Sequence, residues 1–273
     1  MSNTVPNHLM RKFKKIALII LSTFLLISIM LYFLQEKLIF LPTSLSQEHT
    51  YQFTEPFEEF FLTADDGARL NGLHFKRENP KGTILYFHGN AGDLSRWGEI
   101  ATFFVQKDYS VIIMDYRTYG KSMGKLSEEA LFKDAQLFYD YTLKNYSEDQ
   151  IIVYGRSLGC AIATYTASKN SPKKLVLETP FYNLLEVAKK RFPILPVKWL
   201  LTYKFESNKY ITDITCPITI FHGTEDAVVP YESGKKLYDL AFGKKTFVTI
   251  PGGGHNDLIN FEAYTRHIDK ALD

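Results

Sequence analysis

The chain has 273 residues, with 32 Lys and Arg against 30 Asp and Glu, 45% hydrophobic residues and two cysteines. That length suits one large domain or two small ones, and the composition is globular, not disordered or collagen-like. A net charge of +2 argues against a dedicated nucleic-acid binder, and two cysteines exclude a disulfide framework or a cysteine-based zinc cluster.

The charge is unevenly placed. Arg11, Lys12, Lys14 and Lys15 stand in the first 35 residues without an acid, leaving 28 basic against 30 acidic residues in the rest. Behind them Ile16–Leu34 is a run of 19 residues with no charge and no polar face. A helix of that length reaches about 30 Å, the thickness of a bilayer's hydrocarbon core. The rival reading is a cleavable signal peptide, whose apolar region is about 7–15 residues and ends in a small-x-small site. The run here is longer, and Gln35-Glu36-Lys37 follows without Ala-x-Ala. The expectation is therefore a basic tail over 1–15, an uncleaved transmembrane anchor over 16–34 and one domain over 35–273. Basic residues ahead of the helix favour a cytoplasmic N-terminus and a domain on the other side. Leu38-Ile39-Phe40-Leu41-Pro42 stays apolar and either lies along the membrane surface or docks on the domain.

Glu59–Thr63 and Arg69–Phe75 read as strands joined across Asp65-Asp66-Gly67, a good hairpin turn. Thr83–Phe87 and Ser110–Met114 are short apolar strands, with a helix over Ser95–Gln106 between them. Ser127–Tyr146 is a long amphipathic helix, with Ser127 as N-cap and Glu128 and Glu129 in its first turn. Ile151–Tyr154, Leu175–Leu177, Pro217–Phe221 and Thr246–Ile250 are further strands. Helices start at Leu158 and cover about Glu232–Ala241 and Leu258–Leu272. Continuous apolar strands alternating with helices mean an α/β fold with a mostly parallel central sheet covered on both faces. Pro180–Tyr210 breaks the alternation. It is too long for an ordinary loop and too apolar for a solvated one, with Phe192, Ile194, Leu195, Val197, Trp199, Leu200 and Leu201 within ten residues. It reads as a helical lid inserted over the C-terminal edge of the sheet.

Three stations carry chemistry. Gly155-Arg156-Ser157-Leu158-Gly159 lies between a strand and a helix, where a serine is pushed out of a tight turn and glycines two places either side avoid collision. The helix start offers a backbone N–H and a dipole to developing negative charge. A serine nucleophile needs a base, and the base an orienting carboxylate. Asp226, just past the Pro217–Phe221 strand, is the chosen acid. Glu225 is its neighbour, and Glu178 is a second carboxylate on the same edge, read as a structural hydrogen-bonding group. His255 follows Pro251-Gly252-Gly253-Gly254 and is the chosen base. The other histidines fit less well: His8 ahead of the membrane helix, His49 in the linker, His74 in an early strand, His267 on the last helix, and His88 and His222 holding loops at strand ends. The backbone N–H groups of Asn90, in His88-Gly89-Asn90-Ala91-Gly92, and of Leu158 suit an oxyanion hole. Gly120-Lys121-Ser122 resembles the end of a P-loop, but Asp115 stands where its leading glycine belongs. Cys160 reads as a packed core residue, Cys216 precedes Pro217 at a strand start, and nothing shows metal-ligand spacing.

GRSLG, HGNAGD, DYRTYGKSMG, HGTEDAVVP and GGGHND, in this order, resemble the membrane-anchored α/β-hydrolases of the Bem46-like group, over about residues 35–273. The resemblance implies the α/β-hydrolase fold, Ser157 as nucleophile, Asp226 as acid, His255 as base and the Asn90 and Leu158 N–H groups as oxyanion hole. Thr118 departs from it, since similar sequences usually carry glycine there, in DYRGYG. Some animal members of the wider group are thioesterases that remove palmitate from proteins. The expected activity is a serine hydrolase of carboxylic esters or thioesters, with lipid-like acyl groups among the candidates. It acts through an acyl-enzyme and needs no metal or cofactor. A serine peptidase and a non-catalytic, membrane-tethered binding module of the same fold are the alternatives.

Overall fold

A computed structural model describes residues 7–273. Residues 1–6 of the expected basic tail lie outside the described residues. From Asn7 the basic stretch is already helical and runs unbroken through the apolar run as α1 (Asn7–Ile39, 33 residues). That is about 50 Å of helix. It exceeds the expected 16–34 span because no Gly or Pro occurs between Asn7 and Leu41, and Lys, Leu, Gln and Glu continue a helix readily. His8 thus lies within this helix, not ahead of it. Most of α1 is exposed, but Leu31, Gln35 and Ile39 form one part-buried stripe with Ser28. The stripe faces the rest of the chain.

Beyond α1 the elements run β1 (Leu41–Pro42), β2 (Glu58–Thr63), β3 (Arg69–Phe75), β4 (Thr83–Phe87), β5 (Ala91–Gly92), α2 (Leu94–Val105), β6 (Ser110–Met114), α3 (Glu128–Asn145), β7 (Ile151–Arg156), α4 (Leu158–Lys169), β8 (Lys174–Glu178), α5 (Leu184–Arg191), α6 (Val197–Leu200), α7 (Ser207–Tyr210), β9 (Ile218–Gly223), α8 (Tyr231–Leu240), β10 (Lys245–Ile250) and α9 (Glu262–Leu272). Eight strands form one sheet in the order β10-β9-β8-β7-β4-β6-β3-β2. The β2–β3 hairpin and the β3–β6 pair are antiparallel, and every other pair in this sheet is parallel. Gly67 takes φ +82° in the hairpin turn, a conformation glycine adopts without cost.

Side chains alternate along each strand and so feed two cores. Leu85, Ile112, Val153 and Leu177 pack with α3 and α4 on one face, while Tyr86, Ile113, Tyr154 and Val176 pack with α2 and α9 on the other. Ser127 caps α3 as expected, accepting from Ala130 N at 3.1 Å, and Asp93 caps α2 through Ser95 N at 2.7 Å. The final helix does not run from Leu258. A 3-10 turn covers Leu258–Asn260, and Phe261 then adopts extended backbone and packs against the α2–α9 core before α9 begins.

The Leu38–Pro42 stretch docks on the domain. Phe40 is only 3% exposed, within the α3–α4 core. β1 pairs in parallel with β5, so the end of α1 is joined to the loop that follows β4. The 180–210 segment holds three short helices, and Pro193 and Pro196 stand between the first two.

Candidate active site

β7 ends at Arg156 and α4 starts at Leu158, leaving Ser157 alone at the bend with φ +53° and ψ −114°. Non-glycine residues hold such a backbone only when their surroundings force it, at about 1–3 kcal/mol. The surroundings here are tight. A Cβ on Gly155 would lie 2.5 Å from Gly159 O, and one on Gly159 would lie 2.0 Å from Phe87 O. The bend is held by Ser157 N donating to Glu178 O at 2.9 Å. Cys160 is buried beneath it, its thiol directed at Gly155 O and Glu178 O, in keeping with a packed residue.

Ser157 Oγ lies 2.8 Å from His255 Nε2, and His255 Nδ1 lies 2.7 Å from Asp226 Oδ2. A carboxylate only accepts, so Nδ1 carries the proton, and Nε2 is free to accept from the serine hydroxyl. Asp226 is buried, and its other oxygen accepts from Val228 N and Val229 N at 2.8 Å each. Burial alone would raise this carboxyl. The neighbouring His222 N–H, the hydrogen bond from His255 and the N–H of Val229 outweigh it and hold Asp226 well below the usual carboxylate range.

His222, which the sequence marks only as holding a loop, also approaches Asp226. Its Nε2 lies 3.4 Å from Asp226 Oδ2 and donates to Val229 O at 3.0 Å. The ring fits there because α8 presents Gly234, where a Cβ would stand 2.2 Å from His222 Nδ1. A histidine four places before Asp226 is the signal the sequence offers, but the need for glycine on a helix twelve residues beyond that histidine is not legible in it.

Glu178 is not part of this cluster. It is buried beside Arg156, with Nε 3.3 Å from Oε1, and its Oε2 accepts from Tyr154 OH at 2.7 Å. Three further histidines are engaged elsewhere: His74 with Tyr146, His49 with Ser95 and His267 with Ala263 O. His88 is buried between Trp97 and Tyr116, donates to Gly89 O at 2.6 Å and has Asp115 3.3 Å from Nε2. Lys121, of the rejected P-loop match, pairs with Glu59 at 2.9 Å.

Ser157, Asn90 and Leu158 share the wall of a cavity of about 580 Å³, within the usual range for a small-molecule site. Asn90 is fixed from the α1 side: its Nδ2 donates to Ile39 O at 2.8 Å, and its carbonyl accepts from Leu41 N and Tyr119 OH. Leu158 opens α4, so its N–H has no partner one turn back. The rest of the lining is mostly apolar. Phe192, Val197, Leu200 and Leu201 of the 180–210 segment contribute, whereas Ile194 and Trp199 point outward and are 85% and 82% exposed. The charged residues on the wall, Lys190 and Arg191, are both cations.

The sequence profile of the serine aminopeptidase S33 family, Hydrolase_4, matches residues 78–208. The α/β-hydrolase-domain-containing protein WAV2 of Arabidopsis thaliana is 32% identical over 254 residues, 82% of each chain. Lysophosphatidylserine lipase ABHD12 of Danio rerio is 33% identical over 192 residues, 63% of this chain and 50% of that one. The solved esterase Pf2001 of Pyrococcus furiosus superposes with a TM-score of 0.68 at 20% identity, covering 86% of this chain and 96% of its own. A sheet of this order with its bend after β7, and identity of that extent to WAV2, lead to one conclusion: the chain belongs to the α/β-hydrolase-domain family.

Proposed function

We propose that the chain is a membrane-anchored serine hydrolase of carboxylic esters, with thioesters as the related substrates, of the Bem46-like kind. The observation that carries this reading is the continuous relay Ser157–His255–Asp226, with separations of 2.8 and 2.7 Å, at the wall of an apolar cavity. His255 Nε2 takes the Ser157 proton as Oγ attacks the carbonyl carbon. The tetrahedral oxyanion is received by the Asn90 and Leu158 N–H groups. As the intermediate collapses, His255 returns the proton to the leaving alcohol or thiol, and an acyl-serine is left. Water repeats the sequence and releases the acid. Asp226 keeps His255 in the required tautomer and stabilises its charged form. The names of the relatives, a lysophosphatidylserine lipase and an esterase, agree with ester chemistry.

The description of the family profile favours a second reading, an aminopeptidase. Such an enzyme must receive a cationic α-amino group. The charged side chains on this cavity are Lys190 and Arg191, which repel it, so the ester reading stands first.

A fluorophosphonate probe applied to the purified full chain, with a panel of p-nitrophenyl esters and amino-acid anilides, tests both. Labelling and ester turnover in the native chain, both lost in Ser157→Ala with the fold intact, are the expected result. Labelling that persists in Ser157→Ala removes Ser157 as nucleophile. A folded native chain that neither labels nor turns over any substrate leaves a binding module.

A further inference from the structure

Leu31 belongs to two structures at once. It lies inside the uncharged run Ile16–Leu34, the part of α1 long enough to cross a bilayer, and it lines the cavity that contains Ser157. Gln35, Leu38 and Ile39 line the same cavity. The four positions are spaced i, i+4, i+7 and i+8, one face of a helix. Across the cavity stand Leu184 and Val187 of α5 and Leu200 of α6.

We propose that α1 is one wall of an acyl channel, and that a bilayer-resident ester of a long-chain fatty acid reaches Ser157 sideways from the lipid, between α1 and the α5–α6 pair. The proposal rests on the ester-hydrolase reading and gives it a substrate class and a route.

The way α1 is fastened to the lid supports this. Gln35 Nε2 donates to Leu200 O at 3.2 Å, Thr202 N donates to Gln35 Oε1 at 2.7 Å, and Tyr203 OH donates to Glu36 Oε1 at 2.7 Å. All three bonds sit at the end of the apolar run. Deeper along α1, Leu31 is half-buried and the buried Ser28 hydroxyl donates within the helix to Phe24 O at 2.9 Å, so among the described residues no hydrogen bond joins that stretch to α6. That stretch can part for an acyl chain without breaking a hydrogen bond.

The outer surface of the lid fits a membrane interface. Ile194 and Trp199 are its most exposed apolar side chains, and Lys189, Lys190, Arg191 and Lys198 flank them in sequence. An indole with basic residues is the composition that settles at headgroup level, and long basic side chains reach outward to phosphate. The Gln35–Leu200 bond fixes α6 beside the last turns of the span, which sets Trp199 at that depth. The acyl chain would then stay in an apolar environment from bilayer to nucleophile, while its polar end stops at Lys190 and Arg191.

The test uses the full chain in phosphatidylcholine vesicles. A fluorogenic palmitate ester is dissolved in the bilayer, and p-nitrophenyl acetate is supplied in water. Leu31→Trp and Leu38→Trp fill the channel from the α1 side. Phe33→Trp lies on the opposite, lipid-facing side of α1, where Phe33 is 75% exposed. The expected result is a fall in the palmitate-to-acetate turnover ratio of about tenfold or more for both wall substitutions, with the ratio unchanged in Phe33→Trp. A second reading needs no turnover: the Ser157→Ala chain, irradiated in vesicles containing a diazirine-tagged palmitoyl ester, should crosslink at Leu31, Leu38 or Leu200. An unchanged ratio together with crosslinks confined to the Phe33 side overturns the channel and leaves the hydrolase reading intact. A native chain that hydrolyses neither ester removes the hydrolase reading, and the crosslink positions alone then decide whether α1 lines a lipid channel. Wall variants that fail to fold pass the decision to the same crosslinks.

Discussion

Ser157, Asp226 and His255 sit at three loop positions separated by 69 and 29 residues, and each is marked locally by glycines or by a strand end. That is why the candidate cluster was legible: the constraint at each position is a short-range steric one. The roles predict an asymmetry between the two buried carboxylates. Asp226→Asn should lower kcat by about 10⁴-fold, because an amide holds the wrong imidazole tautomer. Glu178→Gln weakens the buried pair with Arg156 and should lower Tm while kcat changes far less. Kinetics and melting curves on both variants check this, and a crippled kcat in Glu178→Gln would reassign the acid. Asp226 also predicts a pH effect. Its carboxyl titrates lower in the folded chain than the unfolded value of about 3.9. It therefore adds stability above that pH, and the addition disappears as pH falls toward the folded value. Asp226→Asn should flatten the acid side of the Tm–pH curve. Thr118 has φ +74° and an exposed side chain, a backbone that glycine would hold without strain. Thr118→Gly should raise stability by about 1 kcal/mol, measurable by urea denaturation, and a loss of stability would mean that the threonine makes contacts outweighing its backbone strain.

Along the lid, the sequence offered seven apolar residues in ten without indicating which face each would take. Pro193 and Pro196 break the helical period, so no periodic argument can divide inside from outside. The division follows from packing against α1: Val197, Leu200 and Leu201 turn to the cavity, and Ile194 and Trp199 turn away. Leu200→Ser should therefore flatten the rise of kcat/KM for p-nitrophenyl esters from acetate to decanoate, each methylene being worth up to about 0.8 kcal/mol. Trp199→Ser, assayed in detergent, should leave the profile as it was. An equal effect of both would mean that the lid repacks around substrate. Strands were easier to read, because β4, β6 and β7 are buried on both faces and show as uninterrupted apolar runs. The end of α1 was harder. Nothing local to Leu41 or Pro42 says that they pair with the loop after β4, some fifty residues on.

For the whole chain, alternation of strand and helix disclosed the layers, while the order of strands and the seat of α1 depend on contacts between distant segments and were not written in any window of sequence. We expect the N-terminus in the cytoplasm and the domain on the other face, from Arg11, Lys12, Lys14 and Lys15 ahead of the span. Protease added to intact cells with a permeabilised outer layer should digest the domain. Protection until lysis would reverse the orientation.

The two-residue ladder between β1 and β5 makes the position of any cut between α1 and the domain consequential. A chain shortened to begin at Gln35 keeps Phe40 in its core slot and Leu41 on the Asn90 carbonyl. It should be recoverable in mild detergent with its acetate hydrolysis preserved. A chain beginning at Thr43 loses both, leaves an apolar slot open to water, and frees the Asn90 loop at the point where the oxyanion would be received. Shedding the helix and silencing the enzyme would then be separate events, a few residues apart, and a processing protease could choose between them.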